Sequence, residues 1–457
     1  MESKKNKTKR IFSLGTNNWQ SKNEFAPGSG ILHKTHHDIF NKMENVENYS
    51  MWPSKTQKAL EGSFDYRVFE LEHDIPICES YSYNSSYRWH SMGDKEVADY
   101  LFRLKDESES FIKDIEDKKG DVDLFLAHHT FFNPVVLDEI NRVKEGEGKE
   151  RVPLAVFAHG TAMKMYQNEI NKEPEFPMRF YSMINESGIF DSSKEHVDVV
   201  FTISNEEKEN FKKLFPKYNS ENVVISGNGF NTQYFKQFDE RPSLTNALEG
   251  IVSMVDGKPL KGLGSFDKSI IFTGKFADWK RLDALLLAAS SYEKGLKEKN
   301  GLDVATIIAG TGPDEKTRNH YYNLANSLGL KNTFFIGSQD QPTLAKINNA
   351  VDLGVYPSKD EPFGLVFIEA MACGTPIIGA NSGGPKDYVK EDFGHLVSET
   401  DDKKVLAENI SNTVQKALVE DWKKTKGPKA AKYAYENFTP EAQCNQIIDE
   451  VDKRRGK

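Results

Sequence analysis

The residues of this chain best suited to chemistry are two carboxylates, a helix start and two ammonium groups. Glu361 and Glu369 bracket Phe363, Gly364, Leu365 and Val366 within the stretch VDLGVYPSKDEPFGLVFIEAMACGTPIIGANSGG. Pro357 and Pro362 bar the preceding loop from being helix or central strand, so a helix begins at about Gly364, just past the strand VDLGVYP. In an open parallel sheet the carboxyl edge is where ligands bind, and the unpaired N–H groups of a helix starting there seat a phosphate. Glu361 lies just before that seat. Glu369, about one and a half turns into the helix, is within reach of a ligand's hydroxyl pair. The arrangement points to a sugar nucleotide. The plainer reading makes Glu361 a loop residue and Glu369 part of a solvated helix face. The side chains of Phe363, Phe367, Ile368, Met371 and Ala372 are helix packing. Lys275 and Lys280 flank the loop of SIIFTGKFADWKRLDALLLAAS, a strand running into a helix. Two ammonium groups at that edge can neutralise a diphosphate and stabilise it as it leaves.

The N-terminal half offers further candidates. After the strand RIFSLG, Gly28 and Gly30 precede the helix ILHKTHHDIFNKM, where glycines permit close backbone approach to a diphosphate or an acceptor group. A flexible turn is the alternative. His33, His36 and His37 share one helical face, a spacing open to a transition metal but better suited to burial or to lining a cleft. Asp121 and Asp123 form a DxD before, not after, the strand LFLAHH. That puts them at the sheet edge away from ligands. His128 and His129, at the strand's other end, are better placed to meet substrate. The next strand, PLAVFAHGTAM, ends in His159 and Gly160 at the same carboxyl edge.

With 457 residues, the chain exceeds what a single core holds, and two domains are expected. A net charge of −9, with lysines interspersed among acids, leaves no basic footprint for nucleic acid. Cys78, Cys373 and Cys444 are far apart and lack CxxC spacing, which fits a reducing compartment rather than a disulfide framework or zinc site. The basic start MESKKNKTKR runs into IFSLGTNN without a long apolar segment, so neither signal peptide nor transmembrane helix is expected and the reading is cytoplasmic. The helix NEEKENFKKLFPKY has some membrane-surface character but reads as solvated.

The elements that position these residues alternate strand and helix. YRVFELEH is a strand, residues 95–117 a long amphipathic helix, VDVVFTIS a strand, and NVVISGNGFNTQYF a strand leaving the first domain. The aromatic tract YSYNSSYRWH is a candidate acceptor surface. Lys236 to Lys268 shows little periodicity and reads as a linker or insertion.

The run EPFGLVFIEAMACGTPII resembles the signature of the retaining nucleotide-sugar glycosyltransferases of the glycogen synthase and sucrose-phosphate synthase type, the glycosyl transferases group 1. The resemblance is dense from Ile270 to about Val397 and rests on strand order and short motifs before that. It implies an α/β fold of two Rossmann-like, doubly wound domains facing each other across a cleft, the GT-B type. Residues 1–235 would be the acceptor-binding domain, 236–268 a linker or insertion, 269–435 the nucleotide-sugar domain, and 436–457 a helix packing back on the first domain. It also implies that Glu361 lies beside the donor sugar and Glu369 binds the ribose, while the amides of Phe363, Gly364, Leu365 and Val366 bind sugar and diphosphate. Gly28 and Gly30 match the family's first glycine-rich loop, His159 its histidine beside the donor sugar, and Gly337 to Asp340 its base-seating loop. The family carries Arg where this chain has Lys275, then a Lys at the position of Lys280, then Gly where this chain has Arg281. Lysine keeps the charge without the planar fork, and Arg281 is a candidate to compensate.

The expected activity is therefore transfer of a sugar, glucose as first choice, from a nucleotide-diphosphate donor to an acceptor that is a sugar, sugar phosphate, polyol, lipid or glycan. No metal or other cofactor is implied. A sugar-nucleotide epimerase on the same scaffold and a non-catalytic two-domain sugar-binding protein are the alternatives. Glycogen-phosphorylase-like chemistry would need a pyridoxal phosphate lysine that the sequence does not identify.

Overall fold

The computed structural model describes residues 7–19, 28–54, 63–71, 92–171 and 179–456. The tract YSYNSSYRWH and Cys78 lie outside these residues. The chain divides into two compact units, one of 1–227 with 443–457, the other of 228–442.

In the first unit β1 (Lys9–Leu14), β2 (Val46–Ser54), β3 (Tyr66–Glu70), β4 (Leu124–His128), β5 (Leu154–Ala158), β6 (Val199–Thr202) and β7 (Val223–Ile225) form one sheet in the order β3-β2-β1-β4-β5-β6-β7. Every pairing is parallel. β4, β5 and β6 read LFLAH, LAVFA and VVFT and are buried at every position, as strands covered on both faces by crossover helices must be. The long helix Asp94–Lys119 turns Val97, Leu104, Phe111 and Ile115 into the core, on the stripe its spacing predicts.

The second unit repeats the design with β8 (Lys268–Thr273), β9 (Val304–Ala309), β10 (Thr333–Gly337), β11 (Leu353–Tyr356), β12 (Ile377–Ala380) and β13 (Gly394–Val397), in the order β10-β9-β8-β11-β12-β13. All of these pairings are parallel as well. Each sheet therefore reverses its order once. The reversal lies between β1 and β4 in the first unit and between β8 and β11 in the second, and at such a point the neighbouring connections leave in opposite directions and open a crevice.

The stretch 236–268, expected as a linker or insertion, is part of the second unit. Ala247, Leu248 and Leu263 join Ile271, Ile307 and Ile336 in one apolar core. Val252 and Pro259 bridge antiparallel, and the Met254 amide donates to Phe335 O at 2.8 Å, covering the otherwise open edge of β10. The division between units falls after Gly227 instead of after 235, and the second unit runs on to 442 instead of 435. The Phe230 amide bonds to Phe438 O at 3.2 Å, and Tyr435 Oη donates to Phe235 O at 2.9 Å, tying both stretches into it. The last helix, Pro440–Arg454, is bound to the first unit from Gln443 onward. Gln443 Nε2 donates to Gly227 O at 2.7 Å, and Lys9 pairs with Asp452 at 2.5 Å. Among the described residues no helix is long and apolar enough to cross a membrane.

Backbone contacts lace the carboxyl ends of the second sheet. Gly274 N donates to Ala309 O at 3.0 Å, Phe276 N to Thr311 O at 3.0 Å and Gly310 N to Gly337 O at 2.8 Å. Gly310 has φ +153°, and a Cβ there would run into the Gly274 carbonyl. Gly310→Ala is expected to destabilise the second unit by about 3 kcal/mol, read as a lower urea midpoint with the slope unchanged.

Candidate functional site

In the second unit the loops leaving β8 and β11 bring three sequence-predicted charges together at the point of reversal. Lys280, at the end of the short turn Asp278–Lys280, places its Nζ 2.5 Å from Glu361 Oε2, and both side chains are about 10% exposed. The same ammonium lies 4.2 Å from the centre of the Trp279 ring. An indole face and a carboxylate thus replace much of the water that Lys280 has lost. Lys275 stays exposed at the rim. Its ammonium titrates below the usual lysine range, first because neighbours displace water around it and next because Lys280 repels it, with Glu361 partly offsetting both.

The loop carrying Glu361 is held by its backbone. Asp360 adopts φ +49°, its amide donates to Ser382 Oγ at 2.8 Å, and the Gly384 amide donates to Glu361 O at 2.7 Å. A Cβ on Gly383 would strike the Glu361 backbone, and one on Gly384 the Pro362 carbonyl. The pair Gly383–Gly384 is therefore the seat of the Glu361 loop. This role escaped the sequence reading because a double glycine after a strand looks like any turn.

Gly364 caps the helix Leu365–Ala372 at φ +89°, a conformation that calls for glycine. Tyr388 Oη donates to the Phe363 carbonyl at 2.7 Å and to the Gly364 carbonyl at 3.3 Å, while the Phe363 ring packs on Tyr388 and Phe438. The Phe363 side chain is thus structural, and Leu365 and Val366 open the first turn, whose amides have no carbonyl within the helix. Glu369 is half-buried on that helix rather than on a solvated face. Burial pushes its carboxyl up to about 7. Its charge acts on Tyr356 and Cys373.

Arg281 does not substitute for the missing Arg at position 275. It sits at φ +52°, a conformation that favours glycine. Its guanidinium is buried and committed to Glu399 at 2.6 Å and Asp401 at 3.3 Å.

In the first unit His128, His129 and His159 stand at the carboxyl ends of β4 and β5, beside the reversal between β1 and β4. His128 Nδ1 and His159 Nε2 are hydrogen-bonded at 3.1 Å. His129 meets His159 edge to face with ring centres 4.4 Å apart. His33 and His36, from the helix Gly28–Phe40, pack on His128 at 4.5 and 5.3 Å, so one helix face and two strand ends form a single cluster of five imidazoles. Burial lowers all five pKa values, to about 4 for His36 and His129 and well below the usual imidazole range for His33, His128 and His159. His36 bonds to Gln443 Oε1 at 2.7 Å, and His33 Nδ1 accepts from Trp19 Nε1 at 3.0 Å. His37 diverges from the cluster toward Ser50 and Asp65. Gly28 opens the helix. A Cβ on Gly30 would collide with the Asn18 carbonyl, so the close approach that this glycine permits is to the chain's own backbone. Asp123, at the opposite edge, accepts from the Arg10 amide at 3.0 Å.

Residues 261–430 match the family model described as Glycosyl transferases group 1. D-inositol 3-phosphate glycosyltransferase 2 of Catenulispora acidiphila is 40% identical over 119 residues, 25% of this chain and 27% of that protein. An uncharacterized glycosyltransferase of Methanocaldococcus jannaschii is 32% identical over 136 residues, 30% of this chain and 33% of that protein. The chain thus spans about a third or less of the length of these curated relatives. Among solved structures, sucrose-phosphate synthase from Thermosynechococcus elongatus superposes with a TM-score of 0.64 at 17% identity, covering 98% of this chain and 99% of the other. Anabaena HepE, in complex with UDP and glucose, gives 0.62 at 14% identity, covering 97% and 100%. These likenesses establish the fold, two Rossmann-like domains of the GT-B type.

The imidazole cluster makes the first unit acid-sensitive. Its histidines are neutral when folded, so between pH 6.5 and 4 the unfolded chain binds more protons and stability falls as pH falls. His36 and His129 each account for a loss on the order of 3 kcal/mol by pH 4. Glu369 works in the opposite sense. Its folded carboxyl holds a proton to about 7, so the stability it contributes is greatest below about pH 4.5 and is lost as pH rises through 7. Peptide-resolved hydrogen exchange from pH 7 to 4 is expected to show protection falling in β4 and β5 and not in β11 and β12.

Proposed function

We propose that the chain is a glycosyltransferase that moves a sugar, glucose as first choice, from a nucleoside diphosphate to an acceptor hydroxyl with retention at the anomeric carbon; the match of residues 261–430 to the family model described as Glycosyl transferases group 1 supports this reading. The observation that carries this reading is the convergence of Lys275, Lys280 and Glu361 at the reversal point of the second sheet. In the reaction the bond from the anomeric carbon to the diphosphate oxygen breaks and its electron pair leaves with the diphosphate. The two ammonium groups and the amides that open the helix at Leu365 balance that charge. The acceptor oxygen bonds to the anomeric carbon from the same face, and its proton passes to the departing phosphate oxygen. No protein nucleophile and no metal take part in this scheme.

Glu361 accepts hydrogen bonds from donor-sugar hydroxyls, Glu369 from the ribose diol, and His159 stabilises positive charge developing on the sugar. A polyol phosphate is one acceptor to screen, given the names of the relatives, alongside sugars, lipids and glycans.

A thermal-shift panel of UDP-, GDP- and ADP-sugars tests the donor assignment. One nucleotide family is expected to stabilise the protein, by about 2.7 kcal/mol at a concentration a hundred times its Kd. Absence of a shift with every donor would overturn the reading.

Two substitutions separate the carboxylates. Glu369→Ala is expected to weaken nucleotide binding about tenfold, and Glu361→Ala to lower kcat about a hundredfold with a smaller change in KM; calorimetry and initial rates check both. An ionised Glu369 accepts from both ribose hydroxyls and a protonated one does so poorly. Binding of the free nucleoside, which carries no titrating phosphate, should therefore tighten as pH rises through about 7, and Glu369→Gln should abolish that dependence.

A further inference from the structure

Arg281 is a buried cation in a left-handed backbone conformation, immediately after the lysine that pairs with Glu361. Its Nη2 forms an ion pair with Glu399 Oε1 at 2.6 Å and donates to Asp401 Oδ1 at 3.3 Å, while its Nη1 and both Glu399 carboxylate oxygens are buried without a hydrogen-bond partner. The charge of the guanidinium therefore rests on the loop after β13. Asp401 also takes Lys359 at 2.6 Å, and the Lys359 amide donates to Trp279 O at 2.7 Å. Glu399 and Asp401 thus stand behind both charged loops. Through Arg281 both acids hold the turn that ends in Lys280, and through Lys359 Asp401 alone holds the segment that leads to Glu361.

Of the two acids, Asp401 is 82% exposed and Glu399 27% exposed, so the weight falls on Glu399: an exposed ion pair contributes little, whereas an unpaired buried charge is costly. Without Glu399 the guanidinium keeps only the exposed Asp401 as counter-charge, and the backbone at 281, already in a conformation that only glycine adopts freely, has a reason to move. Lys280 is the adjoining residue, so the displacement reaches the phosphate-facing ammonium directly.

We propose that Glu399 is a positioning residue for the Lys280–Glu361 pair, acting through Arg281, and so sets the affinity of the site for a diphosphate. The proposal rests on the diphosphate reading of this site given above. Glu399 holds no ligand atom. Its effect on an anionic ligand runs against its own charge, since a nearby carboxylate acting only at a distance repels a diphosphate.

That opposition of sign gives the test. Binding of inorganic pyrophosphate and of UDP is measured by calorimetry on the full chain for the wild type, Glu399→Gln, Arg281→Gly and the double variant, with melting temperatures recorded alongside. Glu399→Gln is expected to weaken pyrophosphate binding roughly tenfold. Arg281→Gly removes the buried charge and suits the backbone, so the double variant is expected to return to within about twofold of the wild type. Unchanged or tighter binding by Glu399→Gln overturns the proposal, as does a loss that Arg281→Gly fails to rescue. If pyrophosphate follows this pattern while UDP binds none of the proteins, the positioning role stands and the nucleotide-sugar reading falls. If UDP binds all four proteins alike, the reading stands and the positioning role falls; if neither ligand binds the wild type, both fall.

Discussion

Everything proposed for the second unit depends on two opposite charges being kept out of water at the end of a parallel sheet. The Lys280–Glu361 pair is buried on both sides, and a buried pair of this kind is a weak source of stability because desolvation cancels much of the attraction. The loops that hold it therefore need other supports. They have them in the glycine seat under Glu361, the Tyr388 hydroxyl on the carbonyls of Phe363 and Gly364, and the indole beneath Lys280. A site built this way exchanges one partner for another. A phosphate that reaches Lys280 offers the ammonium an anion in place of the one it holds, and frees Glu361 to meet neutral hydroxyls.

The two units solve the same topological problem with different chemistry. In the second, the point of sheet reversal carries two ammonium groups and one carboxylate. In the first, it carries five imidazoles kept neutral by burial. Neutral imidazole presents one donor and one acceptor nitrogen, so the cluster is a polar but uncharged end to the sheet. One of its hydrogen bonds, from His36, reaches Gln443 on the last helix.

Much of this was readable in the sequence. The continuous apolar runs of β4, β5 and β12, the proline-bounded loop before Gly364 and the lysine spacing around β8 all reflect local chemistry, and each lies where the pattern implied. What stayed hidden was held by contacts between residues distant in the chain. Arg281 looked like a spare cation beside a diphosphate site, because nothing local reveals that Glu399, more than a hundred positions away, has claimed it. The stretch 236–268 looked like a linker because its apolar residues follow no single period, and only the core formed with Ile271, Ile307 and Ile336 explains them. Gly30 read as a ligand-approach glycine, whereas its neighbour is the Asn18 carbonyl.

The division of the chain also bears on how it is made. The first unit is discontinuous, with 443–457 separated from 1–227 by the whole of the second. A ribosome delivers the seven strands of the first sheet early, yet Asp452 for Lys9 and Gln443 for His36 and Gly227 arrive only after some two hundred intervening residues. At typical synthesis rates of roughly 5–20 residues per second, that interval lasts about ten seconds or more. Throughout it the nascent first unit carries the buried face that its last helix will cover, while the second unit can fold as a continuous segment. The order of synthesis thus favours completion of the second unit before the first, although the first begins earlier.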